Sequence, residues 1–249
     1  MGTHKIIGVA ATLTLLPFTL PSATRAEGLQ VAPVSLTLSA TRSADGLTLA
    51  NLGSGPVHAQ VRVYRWTQDA AGEHLDPTDA IFISPPMVSL QPGDRQMVRV
   101  IRNGDKPAPA VAEDSYRIII DEIPSIADER KGGINFVMRY SLPVFVTGSA
   151  AKPAPALEWK LVPVDGKIAL EVRNSGAMHA QLAEVTLADA SGRLTPLAPG
   201  LLGYVLPGAT TRWGTNEPWP IAPTRGTLRV KVNGQDMQET APFLTPPRE

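Results

Sequence analysis

Apolar residues recur at every second position along this chain, in short runs separated by turn-forming residues. No segment of any length carries a convincing helical period. Residues 29–38 open the pattern as Leu-Gln-Val-Ala-Pro-Val-Ser-Leu-Thr-Leu. Pro33 in this run lacks an N–H, which suits an edge strand or one that switches sheets. Residues 46–51 read as a second strand. Residues 59–66 alternate cleanly, with Val61, Val63 and Arg65 on one face and Gln60, Arg62, Tyr64 and Trp66 on the other. Runs at 81–83, 96–101, 116–122 and 134–146 bring the first half to about seven strands in about a hundred residues, the density of an immunoglobulin-like sandwich. Thr147-Gly148-Ser149-Ala150-Ala151-Lys152-Pro153-Ala154-Pro155 is small, proline-bearing and aperiodic, so 148–155 reads as a linker. The pattern then restarts at 157–162, 167–173, 180–188, 201–206, 210–213 and 227–232.

Two short passages echo each other. Asn51-Leu52-Gly53 precedes His58-Ala59-Gln60, and Asn174-Ser175-Gly176 precedes His179-Ala180-Gln181. Asparagine and glycine tolerate the left-handed backbone that such turns use, so the echo predicts two related sandwich domains. It speaks for fold and not for function.

The most pronounced apolar stripe is Ile134, Phe136, Met138 and Tyr140, on one face of a single strand behind Lys131-Gly132-Gly133. A stripe of this kind usually faces its own core. Its sequence context points elsewhere, as set out below.

The N-terminus reads as an export signal. His4 and Lys5 form a weak basic start, 6–20 is apolar, and 21–26 supplies small residues for cleavage after Ala26, with Ala23 as the alternative. The apolar run is short and broken by Pro17, which disfavours an uncleaved anchor. Cleavage leaves about 220 of the 249 residues, enough for two domains. The formal net charge is zero, so no basic surface argues for nucleic acid. The absence of cysteine means that each domain must hold by its core alone, even in an oxidising compartment.

Chemistry-bearing motifs are missing. His58, His74 and His179 show no metal-ligand spacing and read as surface or turn residues. There is no G-x-S-x-G elbow, phosphate loop or dinucleotide fingerprint. Asp121 and Glu122 are adjacent on a strand, so they point to opposite faces and cannot converge on one bond. Neither an enzyme, a cofactor nor a small-molecule substrate is expected.

Ser84-Pro85-Pro86, Leu90-Gln91-Pro92-Gly93, Met97-Val98-Arg99-Val100 and Glu122-Ile123-Pro124 follow one another in this order. That succession resembles the first domain of periplasmic pilus-assembly chaperones of the chaperone–usher pathway, the PapD-like family. The run from Arg139 to Val146 is similar to the archaic, Csu-type branch. The resemblance implies an all-β chain of two immunoglobulin-like sandwiches in an L-shaped arrangement behind the signal peptide. Its domains would span 27–147 and 156–249. It implies a periplasmic chaperone that folds and caps pilin subunits and delivers them to an outer-membrane usher during fimbrium biogenesis. A strand lent to the subunit completes its sheet and covers its apolar groove. On this resemblance Ile134, Phe136 and Met138, with Tyr140 at the end, are the donated stripe. The free protein is expected to hide that stripe by self-association or local disorder.

Other members of the family grip the subunit's terminal carboxylate between an arginine near the end of the first strand and a lysine late in the donor strand. Here those places read Pro33-Val34-Ser35-Leu36 and Ser141-Leu142-Pro143, all uncharged. Arg117, Arg139 and Arg99 are the candidate replacements, Arg117 first because it interrupts an apolar strand. The alternative for each is an ordinary solvent-facing arginine. Glu113 matches the acidic half of a salt bridge at the family's domain junction, but no arginine stands near Thr147 to complete it. The rival function is a secreted two-domain structural or adhesive protein of the same fold, and a β-sandwich hydrolase stands behind it.

Overall fold

Pro33 divides the first apolar run between two sheets. The computed structural model describes residues 28–39, 41–69, 72–104, 112–124, 137–148, 154–188, 192–219 and 225–243. In it, β1 (Leu29–Ala32) and β2 (Leu36–Ser39) join different sheets on either side of that proline. β1 continues through β3 (Ala44–Asn51) and β8 (Arg95–Arg102) to β6 (Ile81–Ser84). The facing sheet runs β2, β10 (Arg139–Thr147), β9 (Asp114–Ile123), β4 (Val57–Asp69) and β5 (Gly72–Pro77), with β7 (Met87–Leu90) also paired to β4. Leu38, Leu47, Leu49, Val61, Val98, Val100, Ile118, Ile120 and Val144 fill the space between them, all essentially without exposed surface.

The second sandwich packs a sheet of β11 (Leu157–Val164), β12 (Lys167–Asn174) and β15 (Thr210–Pro218) on another. That other sheet is ordered β14 (Leu194–Val205), β13 (Ala180–Ala188), β16 (Arg225–Val232) and β17 (Gln235–Pro242). The described residues contain no helix. β5 and β17 escape the alternation rule because their side chains are largely polar or exposed.

The echo holds, but for a different reason from the one its residue types suggest. Neither Asn51 nor Asn174 is left-handed, and neither are Gly53 and Gly176. Both asparagines are fully buried. The Asn51 amide donates to the carbonyls of Gly55 and Leu90 at 2.8 and 3.0 Å, and its oxygen accepts from Gly53 N–H at 2.9 Å. Asn174 donates to Met178 and Val205 at 2.7 and 3.0 Å and accepts from Gly176 N–H at 3.0 Å. At each corner a left-handed glycine, Gly93 or Gly208, instead donates its N–H to the carbonyl of Asn51 or Asn174. Each asparagine thus replaces missing ladder bonds where a strand ends inside a core.

Candidate partner-binding edge and domain junction

In β10, Tyr140, Leu142, Val144 and Val146 face the first core, while Arg139, Ser141, Pro143 and Phe145 face outward. Tyr140 is the last of the inward row to pack on that core, and its hydroxyl donates to the Leu29 carbonyl. Met138 lies one step further along the same row and is 49% exposed. Ile134 and Phe136 lie outside the described residues. The row therefore runs from core into solvent at Met138.

β10 is an open edge over part of its length. Antiparallel pairing with β9 matches Arg139 to Asp121 and Tyr140 to Ile120. Glu122 N–H donates to the Met138 carbonyl at 3.0 Å. Hydrogen-bonded pairs alternate along such a ladder, so Met138, Tyr140 and Leu142 turn their backbone groups toward β9. Arg139 and Ser141 turn theirs the other way, as does the Pro143 carbonyl. On that side β2 pairs only with Val144 to Thr147. Among the described residues no strand meets the edge of Arg139 to Leu142, and the Pro143 carbonyl is where the pairing with β2 begins. Pro143 removes one donor from this edge, where the loss leaves no ladder bond unmade.

The outward face carries the charge. Cross-strand rows place Gln60, Asp121 and Arg139 together, then Arg62, Ile119 and Ser141, then Tyr64, Arg117 and Pro143. Asp121 accepts from Arg139 Nε on one oxygen and from an Arg62 terminal nitrogen on the other. The Arg139 bond foremost, with that from Arg62, holds the Asp121 carboxyl below its ordinary value. The hydrogen bond to Asp121 raises Arg62 in turn. Arg117 is a different kind of cation. Its guanidinium sits 3.7 Å from the Trp66 ring centroid and 5.5 Å from that of Tyr204, with Glu73 at 3.7 Å. Its side chain is 12% exposed, and burial pushes its pKa down against the pull of Glu73. Arg99 is set apart from both. It is exposed on β8 in the opposite sheet, beside Ser84 and Gly46.

Trp66 and Phe145 stand on outward rows yet are buried, because the second sandwich covers them. Glu113, whose side chain is 1% exposed, completes this junction with His179. One of its oxygens lies 2.7 Å from both the backbone nitrogen and Nδ1 of His179. The His179 ring stacks on Phe145 at 3.6 Å and 4°. The Gln68 amide extends the join, donating to Tyr204 O and accepting from Leu206 N–H, each at 2.9 Å. The reading of His179 as a surface or turn histidine is therefore corrected: it takes the place of the arginine sought near Thr147. Sequence held two hints of the junction. An indole stands on an otherwise polar row, and the echo includes His179, paired with His58. Beside the junction is an open cleft of about 290 Å³ of mixed lining, with Ser35, Thr37, Gln181 and Asn233 set among Phe145, Met178, His179 and Tyr204.

Residues 28–151 match the family model described as the pili and flagellar-assembly chaperone, PapD N-terminal domain. No curated protein sequence matches the chain. Among solved structures, similarity extends to a chain of the CsuC–CsuE chaperone–tip adhesion subunit pre-assembly complex from archaic chaperone–usher Csu pili of Acinetobacter baumannii. The identity is 23%, the TM-score 0.66, and the match covers 87% of this chain and 99% of that one. The Pseudomonas aeruginosa CupB2 chaperone is 19% identical with a TM-score of 0.58, over 86% and 100%. A chain of the Salmonella enterica SafA pilin–SafB chaperone complex is 18% identical with a TM-score of 0.57, over 89% and 99%. At these identities the solved structures establish a shared fold.

Proposed function

The first sandwich of this chain belongs to the pili and flagellar-assembly chaperone family as its PapD N-terminal domain, and on that premise we propose that the protein is a periplasmic chaperone for pilin subunits. It caps a subunit by lending the strand that enters β10 and delivers the subunit to an outer-membrane usher. The observation that carries this reading is the open edge from Arg139 to Leu142, continuous with an inward row that leaves its own core at Met138. An incoming strand would gain backbone bonds along this edge, and the protruding row would fill the subunit's groove. Ile134 and Phe136 extend the row in sequence. Residues 1–26 would direct export, and strand exchange needs no nucleotide. Two solved relatives of this fold are complexes of a chaperone with a pilus subunit, which favours this reading over a self-sufficient adhesive protein.

For the charged contact, Arg139 is better placed than Arg117, because it lies on the open edge and is 68% exposed. Arg117 serves the junction. The test is refolding of an archaic-type pilin that lacks its last strand. An equimolar amount of this protein should suppress aggregation and yield a one-to-one complex. Aggregation unchanged by the protein would refute the reading.

A further inference from the structure

Asp121 neutralises only one of the two arginines that grip it. Arg62 and Arg139 against one carboxylate leave a surplus positive charge beside the open edge. Both Asp121 oxygens are engaged, and Arg139 uses only Nε for this bond. Its two terminal nitrogens have no hydrogen-bond acceptor among the described residues, which leaves the end of the guanidinium fork unused. Arg62 Nε is buried and without a partner among the described residues. Ile119 and Ser141 in the neighbouring row bring no compensating charge, and the Glu122 carboxylate, next to Asp121 on the inward face, accepts from the Met138 N–H at 3.1 Å.

Resting on the strand-lending reading above, we infer that the recruited strand carries an acidic residue directly across from Arg139. A strand added beside β10 places one side chain opposite Arg139 on the outward face, about 5 Å away between Cβ atoms. Its neighbours in sequence point to the inward face, toward Met138 and Tyr140. The partner segment is therefore apolar on one face and has Asp or Glu at one fixed position of the other. That carboxylate closes on the Arg139 fork while Asp121 keeps the guanidinium oriented. Lysine or arginine there meets the like charge of Arg139 and is rejected. Arg139 thus sets which subunit, and which register of its strand, is accepted.

The experiment uses blocked peptides of alternating valine and threonine, about ten residues long, with Glu, Gln or Lys at a central threonine position. Binding to the full chain is followed by fluorescence anisotropy at low salt. The expected order is Glu, then Gln, then Lys, with about tenfold between the ends. Arg139→Glu should invert the order, Arg139→Gln should flatten it, and Asp121→Asn should widen it. Circular dichroism verifies that each variant is folded. Equal binding of the three peptides, or an order that survives Arg139→Glu, overturns the charge inference and leaves the open edge standing. Failure of every peptide to bind removes the edge and the inference together.

Discussion

Replacing Glu113 by alanine should loosen the join between the sandwiches and destabilise the whole protein. The carboxylate is almost wholly enclosed, and one oxygen serves two groups of His179. Losing it leaves the His179 backbone N–H without an acceptor. A hydrogen bond to a charged group contributes about 1.5–3 kcal/mol, and an orphaned buried donor costs about 1–3 kcal/mol. Relief from burying a carboxylate whose second oxygen has no partner offsets part of this loss. The net expectation is about 3 kcal/mol for Glu113→Ala. Glu113→Gln should lose about 1–2 kcal/mol, since its amide oxygen still accepts the backbone N–H. For a chain of this size, 3 kcal/mol corresponds to a fall in Tm of about 6–12 °C. Urea denaturation of Glu113→Ala, His179→Ala and the double variant measures both the loss and the coupling. The coupling should reach about 1–2 kcal/mol, because the two residues share their bonds. A loss under about 0.5 kcal/mol with additive single effects would refute the junction argument.

Three further outcomes follow from other parts of the chain. Asn174→Ala should cost about 3 kcal/mol by chemical denaturation, because it strands the Met178 and Val205 carbonyls inside the second sandwich. Asp121 is held below its ordinary value, so its contribution is complete above about pH 4 and disappears as pH falls through the lower folded value. Urea midpoints of the wild type and Asp121→Asn should therefore differ at neutral pH and converge only once pH has fallen below that lowered folded value. Met138→Asp should change stability by less than about 0.5 kcal/mol, yet abolish protection of a strand-deficient pilin in the refolding assay. Unfolding of that variant would show that Met138 belongs to the core.

The sheets were legible where burial is one-sided. β4, β8 and β13 follow from alternation, since each lays one row on a core, whereas β9 and β12 show as continuous apolar runs at Ile118–Ile120 and Ile168–Leu170, buried on both faces. The family succession supplied the sandwich pairing, which periodicity alone cannot order. β5 and β17 were not legible because edge strands need no apolar row, and their pairing is made by backbone groups common to all residues. The same limit hid the junction. Glu113 was noticed as half of a bridge. Its partner lies sixty-six positions away, and a histidine gives no pattern that separates a buried stacked ring from a solvent-facing one. The three arginines looked alike in sequence because each interrupts or borders a strand. Only the register separates Arg117 in the junction, Arg139 on the edge and Arg99 on the far sheet.

One strand here meets two opposed requirements. A strand lent to another protein must expose apolar side chains and unpaired backbone groups, the features that make an edge prone to aggregate. β10 separates the two along its length. From Val144 onward it is held by β2 and β9 on either side and by both cores, with Val144 and Val146 turned inward and Phe145 turned to the junction. Before Val144, among the described residues, only β9 holds it, and past Tyr140 the inward row has no core of described residues beneath it. Burial of the far half supplies the stability that the near half forgoes. Arg139 adds a charge at the open edge, so two such edges meeting with their outward faces in register bring like charges together. A partner strand with an opposing carboxylate meets no such repulsion. The charge that selects the partner therefore also discourages pairing between copies, which links the Arg139→Gln variant to a second readout, its tendency to self-associate on concentration.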